Sequence, residues 1–124
     1  MTLVVLPERL AVWRSRPDDP APADRLGGSL WALVRTADEL SVAGPEDEAP
    51  EGVPVERGWR ALKILGPLDL GLTGVLAAVA VPLADAGISI FAISTYDTDY
   101  VLVREVALGD AIAALRAAGF QIDA

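Results

Sequence analysis

Residues 82–105, PLADAGISIFAISTYDTDYVLVRE, decide the fold, because the end of a helix, two apolar strands and a polar turn follow one another within them. Leu72, Leu76, Val79 and Leu83 share one helical face at i, i+4, i+7, i+11 spacing, and Gly87 stands where a left-handed C-terminal cap belongs. Pro82 lacks the N–H of an interior helical residue and is expected to bend the last turn. Residues 88–93 read as a strand with Ile88, Ile90 and Ala92 on one face and Phe91 and Ile93 on the other. Both faces are then expected to be covered, as in a central or interface strand, and residues 100–103 repeat the pattern. Between them Ser94-Thr95-Tyr96-Asp97-Thr98-Asp99 forms a polar turn whose chemistry suits binding rather than catalysis.

Downstream, Leu108, Ile112 and Leu115 predict a second helix ended by Gly119, with a short strand at 120–122. Upstream, Leu62 and Ile64 alternate within a strand at 60–65 that Gly66-Pro67 ends. The C-terminal half therefore reads β-α-β-β-α-β, a ferredoxin-like unit. The first half offers strands at 3–6, 10–15, 30–35 and 39–43, the last two as a hairpin through Thr36-Ala37-Asp38. Residues 17–23, with three prolines and two aspartates, read as a loop, and 23–26 allow at most a short helix. Residues 45–58 hold five acids and three prolines and read as an acidic connector, which puts the boundary near 58. The expected fold is α+β: two tandem ferredoxin-like units, 1–58 and 59–124, the first with degraded helices.

Composition narrows the function. With 52% hydrophobic residues the chain has enough apolar surface for a core, and halves of about 60 residues are marginal alone, so association is expected. One lysine and nine arginines face eighteen acids, a formal charge of -8 that opposes binding to nucleic acid or an anionic membrane. The longest apolar run, 75–84, is well short of the roughly 20 residues of a spanning helix, and no basic region precedes a signal-type core. A cytoplasmic protein is expected. Cysteine, histidine and asparagine are absent, which removes thiolate chemistry, the usual general base, the commonest metal ligands and an asparagine oxyanion hole. Neither catalytic residues nor a metal or other cofactor are expected.

The strands near Ile64 and Ile90, joined by a helix, should run parallel and end on the same sheet edge. The loop Gly66-Pro67-Leu68-Asp69-Leu70-Gly71-Leu72-Thr73-Gly74 then meets the turn at 94–99. A helix N-terminus there favours a carboxylate, and Asp97, Asp99 and Asp69 offer acceptors for an ammonium or guanidinium. The pair suits a free amino acid. The same residues also serve as a helix cap and ordinary turn residues, and both readings stay open on the residues alone. The glycines match neither a GxGxxG fingerprint nor a P-loop, and Trp13, Trp31 and Trp59 read as core or interface anchors.

Residues 58–105 closely resemble small bacterial ACT-domain proteins, and TADELSV at 36–42 resembles their first-half signature. The most specific part, 82–105, is similar to the ACT repeats of the CASTOR arginine sensors and, more distantly, of aspartate kinases. The resemblance implies tandem ACT units, no catalysis, and an amino-acid site, for arginine or another amino acid, where ACT units meet. Because the chain resembles one half of the doubled sensors, the site is expected across a homodimer of C-terminal units. By motif the resemblance carries Thr95, Tyr96 and Asp99 onto ligand-contacting positions, with Asp99 as the main cation contact. It likewise carries Asp69, Leu70, Gly71, Leu72 and Thr73 onto the loop before the helix. A serine of the sensors is replaced by Ala78, so one hydroxyl contact is missing. Two other readings stand beside the sensor: a ligand-free module that dimerises or holds a protein partner, and a small ferredoxin-like enzyme such as an acylphosphatase. The lack of asparagine weighs against the enzyme.

Overall fold

The computed structural model describes residues 1–22, 27–28, 30–65 and 73–124. The short helix weighed at 23–26 lies outside them, as does the loop at 66–72. The chain forms two compact units, Pro7–Trp59 and a second built from Met1–Leu6 with Arg60–Ala124. The sequence reading grouped residues 1–6 with the N-terminal half; in the structure they belong with the C-terminal unit, for the following reason. Strand β1 (Thr2–Val5) pairs antiparallel with the second half of β5 (Val55–Ile64), Leu3 opposite Ile64, and parallel with β8 (Gln121–Asp123), Leu3 opposite Ile122.

The C-terminal unit contains β5 from residue 60 onward, helix α1 (Val75–Asp85), β6 (Ile90–Ser94), β7 (Asp99–Arg104), helix α2 (Leu108–Ala117) and β8. Its strands lie in the order β6-β7-β5-β1-β8. That is the ferredoxin-like order with β1 intercalated between the first and last strands of the β-α-β-β-α-β unit. Val79 and Leu83 of α1 and Ala111 and Leu115 of α2 bury against Leu3, Leu62, Ile64, Val101, Val103 and Ile122. Each fully buried leucine or valine contributes about 1.5–3 kcal/mol.

Both helices end as their glycines predict. Gly87 has φ +75°, and Ile88 N–H donates to Leu83 O at 2.9 Å while Gly87 N–H donates to Ala84 O at 2.9 Å. Gly119 repeats this pattern with Leu115 and Arg116. These are Schellman caps, which need a left-handed residue. Pro82 lies within the last turn of α1, yet the helix continues to Asp85. The missing bond falls on the exposed Ala78, whose carbonyl water can satisfy.

Of the two expectations for β6, a central or an interface strand, the structure does not fit the first. Among the described residues β6 pairs only with β7, and none of its residues is fully buried, so it is an edge. Strand β7 does sit between two neighbours, and Val101, Leu102 and Val103 are buried on both faces.

The N-terminal unit contains β2 (Leu10–Ser15), β3 (Ala32–Arg35), β4 (Leu40–Pro45) and the first half of β5. The order β3-β4-β2-β5, all pairs antiparallel, is again ferredoxin-like, with a 3-10 turn at Glu46–Glu48 standing where the second helix would be. Its core is Ala11, Trp13, Leu40 and Val42, with Trp31 edge-on to Trp13 at 6.0 Å between ring centroids. Trp31 lies so close to Gly44 that an added Cβ would meet its ring at 2.7 Å, which explains a glycine within a strand.

The stretch read as a connector, 45–58, is partly strand, because β5 begins at Val55. Leu10 pairs with Trp59 but Val12 with Glu56, so β5 carries an extra residue there, and Gly58 adopts φ +76°. This glycine bulge breaks the period-2 alternation by which a strand is recognised.

Candidate functional site

The hairpin between β6 and β7 is held by its own polar groups. Thr95 N–H donates to Thr98 O at 2.8 Å. The Thr95 hydroxyl donates to Thr98 O at 3.1 Å and accepts from Thr98 N–H at 3.2 Å. At the mouth, Ser94 and Asp99 form the last cross-strand pair, and Ser94 Oγ donates to Asp99 Oδ1 at 2.5 Å. Tyr96 points away from the unit and is 81% exposed.

One side chain ties this hairpin to the rest of the unit. Thr98, 7% exposed, donates its hydroxyl to Ile64 O at 2.6 Å, where β5 ends. The turn and the end of β5 are therefore adjacent, as the topology predicts, and Thr98 is the residue that sequence reasoning missed. The available signal was a hydroxyl at the last turn position before an apolar strand. Thr98→Val, close in shape but without the hydroxyl, removes the donor to a buried carbonyl and is expected to cost about 1–3 kcal/mol, read as a lower denaturation midpoint.

The β3–β4 hairpin of the other unit uses the same scaffold. Thr36 N–H donates to Glu39 O at 2.9 Å, and the Thr36 hydroxyl accepts from Glu39 N–H at 3.2 Å. Each hairpin joins the second and third strands of its own ferredoxin-like order. The two turns thus build the same local structure from Thr36-Ala37-Asp38-Glu39 and Thr95-Tyr96-Asp97-Thr98. Thr95 accordingly spends its hydroxyl on the turn. What separates the hairpins is the chemistry added to the scaffold: Ser94, Tyr96 and Asp99 stand where Arg35, Ala37 and Leu40 stand in the first.

Of the remaining site residues expected from sequence, Thr73 is exposed just ahead of α1, and Gly74 at the helix start adopts φ +78°. Asp69, Leu70, Gly71 and Leu72 lie outside the described residues. On the β5–β7 face, Lys63 Nζ lies 5.9 Å from the centroid of the Tyr100 ring, a cation–π pair next to Asp99 in sequence. Among the described residues no group of three or more His, Cys, Asp or Glu side chains is placed to hold a metal ion, and no helix is long and apolar enough to cross a membrane.

Comparison with known proteins places this architecture. An ACT-domain family model matches residues 54–117. A 59-residue segment is 42% identical to the human cytosolic arginine sensor for mTORC1 subunit 1; it covers 47% of this chain and only 18% of the sensor. A crystal structure of a protein from Agobacterium tumefaciens superposes with a TM-score of 0.90 at 35% identity, over 98% of this chain and 90% of that one. Aspartate kinase from Synechocystis shares the fold, with a TM-score of 0.72 at 21% identity over 99% of this chain and 27% of the kinase. The matched segment, the strand order of both units and the full-length structural match agree, and the chain belongs to the ACT-domain family.

Proposed function

We propose that this chain is a non-catalytic, cytoplasmic regulatory module that binds a small amino acid at the β6–β7 hairpin, where two C-terminal units of a homodimer meet. The carrying observation is the contrast between two hairpins of one scaffold, since the second alone adds a carboxylate at Asp99, its Ser94 partner and an exposed Tyr96. An aromatic ring left in water and an oriented carboxylate on one hairpin suit a ligand with a cationic end and an apolar stem. The similarity to an arginine sensor makes arginine the first ligand to try. Asp69, Leu70, Gly71, Leu72 and Thr73, which follow the β5 end in sequence, are proposed to close the site around the ligand carboxylate.

The homodimer part of the proposal has its own support. Among the described residues strand β6 has one edge unpaired, and α1 turns Ala77, Ala78, Val81 and Ala84 to solvent with no charged residue before Asp85. An unpaired edge beside an apolar helix face is a surface that natural proteins cover. Val81, 56% exposed, is the probe: Val81→Asp is expected to convert a dimer to a folded monomer, measured by light scattering with circular dichroism as the folding control. A wild-type monomer, or a variant dimer as tight as wild type, would refute this arrangement.

The binding site is tested by amide chemical shifts during titration with arginine and then the other amino acids. Shifts are expected at Thr73 and across 94–100. Saturable shifts confined to other parts of the chain would move the site, and none at all would favour the alternative, a ligand-free protein-interaction module for which the exposed Tyr96 is an anchor.

A further inference from the structure

The two threonine-closed hairpins also differ at the last turn position, where Thr98 stands in the second and Glu39 in the first. Both turns close with the same bonds. The first threonine's N–H donates to the last residue's carbonyl, and the last residue's N–H donates to the threonine hydroxyl at 3.2 Å, whether that residue is Glu39 or Thr98. Closing the turn therefore makes no demand on the Thr98 side chain, and its hydroxyl is spent elsewhere.

That hydroxyl donates to Ile64 O at 2.6 Å, and both residues are buried, so water competes poorly for the bond. The N–H of the same peptide, on Leu65, donates to Thr2 O at 2.9 Å. One peptide plane is thus held from both sides, by the hairpin through Thr98 and by β1 through Thr2. An anchor fixed in this way has little freedom to follow the hairpin, so it locates the hairpin instead. Asp99 follows Thr98 directly, and its carboxylate is oriented in turn by the Ser94 hydroxyl at 2.5 Å. A continuous series of hydrogen bonds and covalent links therefore runs from β1 to the Asp99 carboxylate.

We propose that Thr98 is a positioning residue of the amino-acid site, one that sets where Asp99 stands by fastening the hairpin to the Ile64–Leu65 peptide without itself touching the ligand. This rests on the β6–β7 site proposed above. Without the bond, only a fraction of molecules holds Asp99 in the binding geometry, and the apparent affinity falls by that fraction.

Three variants separate positioning from stability. Thr98→Val removes the donor and Thr98→Ser keeps it, whereas Ile122→Val trims the core in β8, with β1 and β5 between it and β7. In calorimetric titration with arginine and then the other amino acids, Thr98→Val is expected to weaken binding roughly tenfold, the upper end for one hydrogen bond. Thr98→Ser should restore the affinity, and Ile122→Val should bind as wild type does. Without ligand, the NMR signal of the Asp99 carboxyl carbon is expected to move in Thr98→Val and to return in Thr98→Ser. A wild type that binds no amino acid would refute the site, and this ligand-free comparison then decides the role of Thr98 by itself. If Thr98→Val does not fold, the wild-type titration decides: coupling is reciprocal, so the buried Ile64 carbonyl carbon should shift with the same dissociation constant as Asp99. Undiminished affinity in a folded Thr98→Val, an equal loss in Ile122→Val, no recovery in Thr98→Ser, a stationary Asp99 signal, or a stationary Ile64 signal on ligand binding would each overturn the proposal.

Discussion

Removal of Met1–Leu6 is expected to abolish cooperative folding of the C-terminal unit, although those residues lie more than fifty positions from its other strands and outside the matched ACT segment. Among the described residues strand β1 is the only partner of β8, and it also carries one edge of β5. Beyond the ladder, Leu6 N–H donates to Ala61 O, Leu65 N–H to Thr2 O and Gln121 N–H to Met1 O. Losing the fully buried Leu3 alone costs about 2–5 kcal/mol as a core cavity, and each lost hydrogen bond about 0.5–1.5 kcal/mol more. The sum reaches the roughly 5–15 kcal/mol total stability of a domain. Thermal unfolding of residues 7–124 followed by circular dichroism should show a broad or absent transition. A sharp transition at the full-length temperature would mean that β1 is decoration rather than a structural member.

Asp99→Ala is expected to weaken amino-acid binding roughly 10- to 150-fold, the equivalent of about 1.5–3 kcal/mol for a hydrogen bond to a charged group. The same change should alter stability by no more than about 1 kcal/mol, because the bond it breaks, from Ser94, lies at an exposed cross-strand pair. Ser94→Ala should fall between wild type and Asp99→Ala, since it leaves the carboxylate but removes the group that orients it. Calorimetric titration of the three proteins separates the roles. Equal affinities would show that the carboxylate serves only the hairpin, as Leu40 serves its counterpart.

Local features of this fold were legible in the sequence because local spacing controls them. The apolar spacing of α1 and α2, the glycine caps at Gly87 and Gly119 and both threonine turns follow from residues within a few positions of one another. The intercalated β1 was not legible. Its pairing with β5 and β8 spans some sixty to one hundred and twenty positions, and nothing in TLVV distinguishes one partner from another. The start of β5 was hidden by the Gly58 bulge, and the two apolar faces of β6 fit a central and an interface strand alike. An edge strand with two apolar faces accords with the homodimer that the resemblance implies. At the candidate site the resemblance carries Thr95 onto a ligand-contacting position, whereas in the structure its hydroxyl closes the turn and Thr98 fastens that turn to β5. Burial, which separates these two threonines, is a property of the folded chain.

A thermal-unfolding panel of the full-length protein against the free amino acids decides whether this module senses one of them. A selective ligand at about 100 times its dissociation constant adds roughly 2.7 kcal/mol, a rise in Tm on the order of 10 °C for a chain of this size. The predicted result is such a rise with arginine or another single amino acid, lost in Asp99→Ala. A well-folded protein whose Tm no amino acid moves at millimolar concentration would contradict the proposed function.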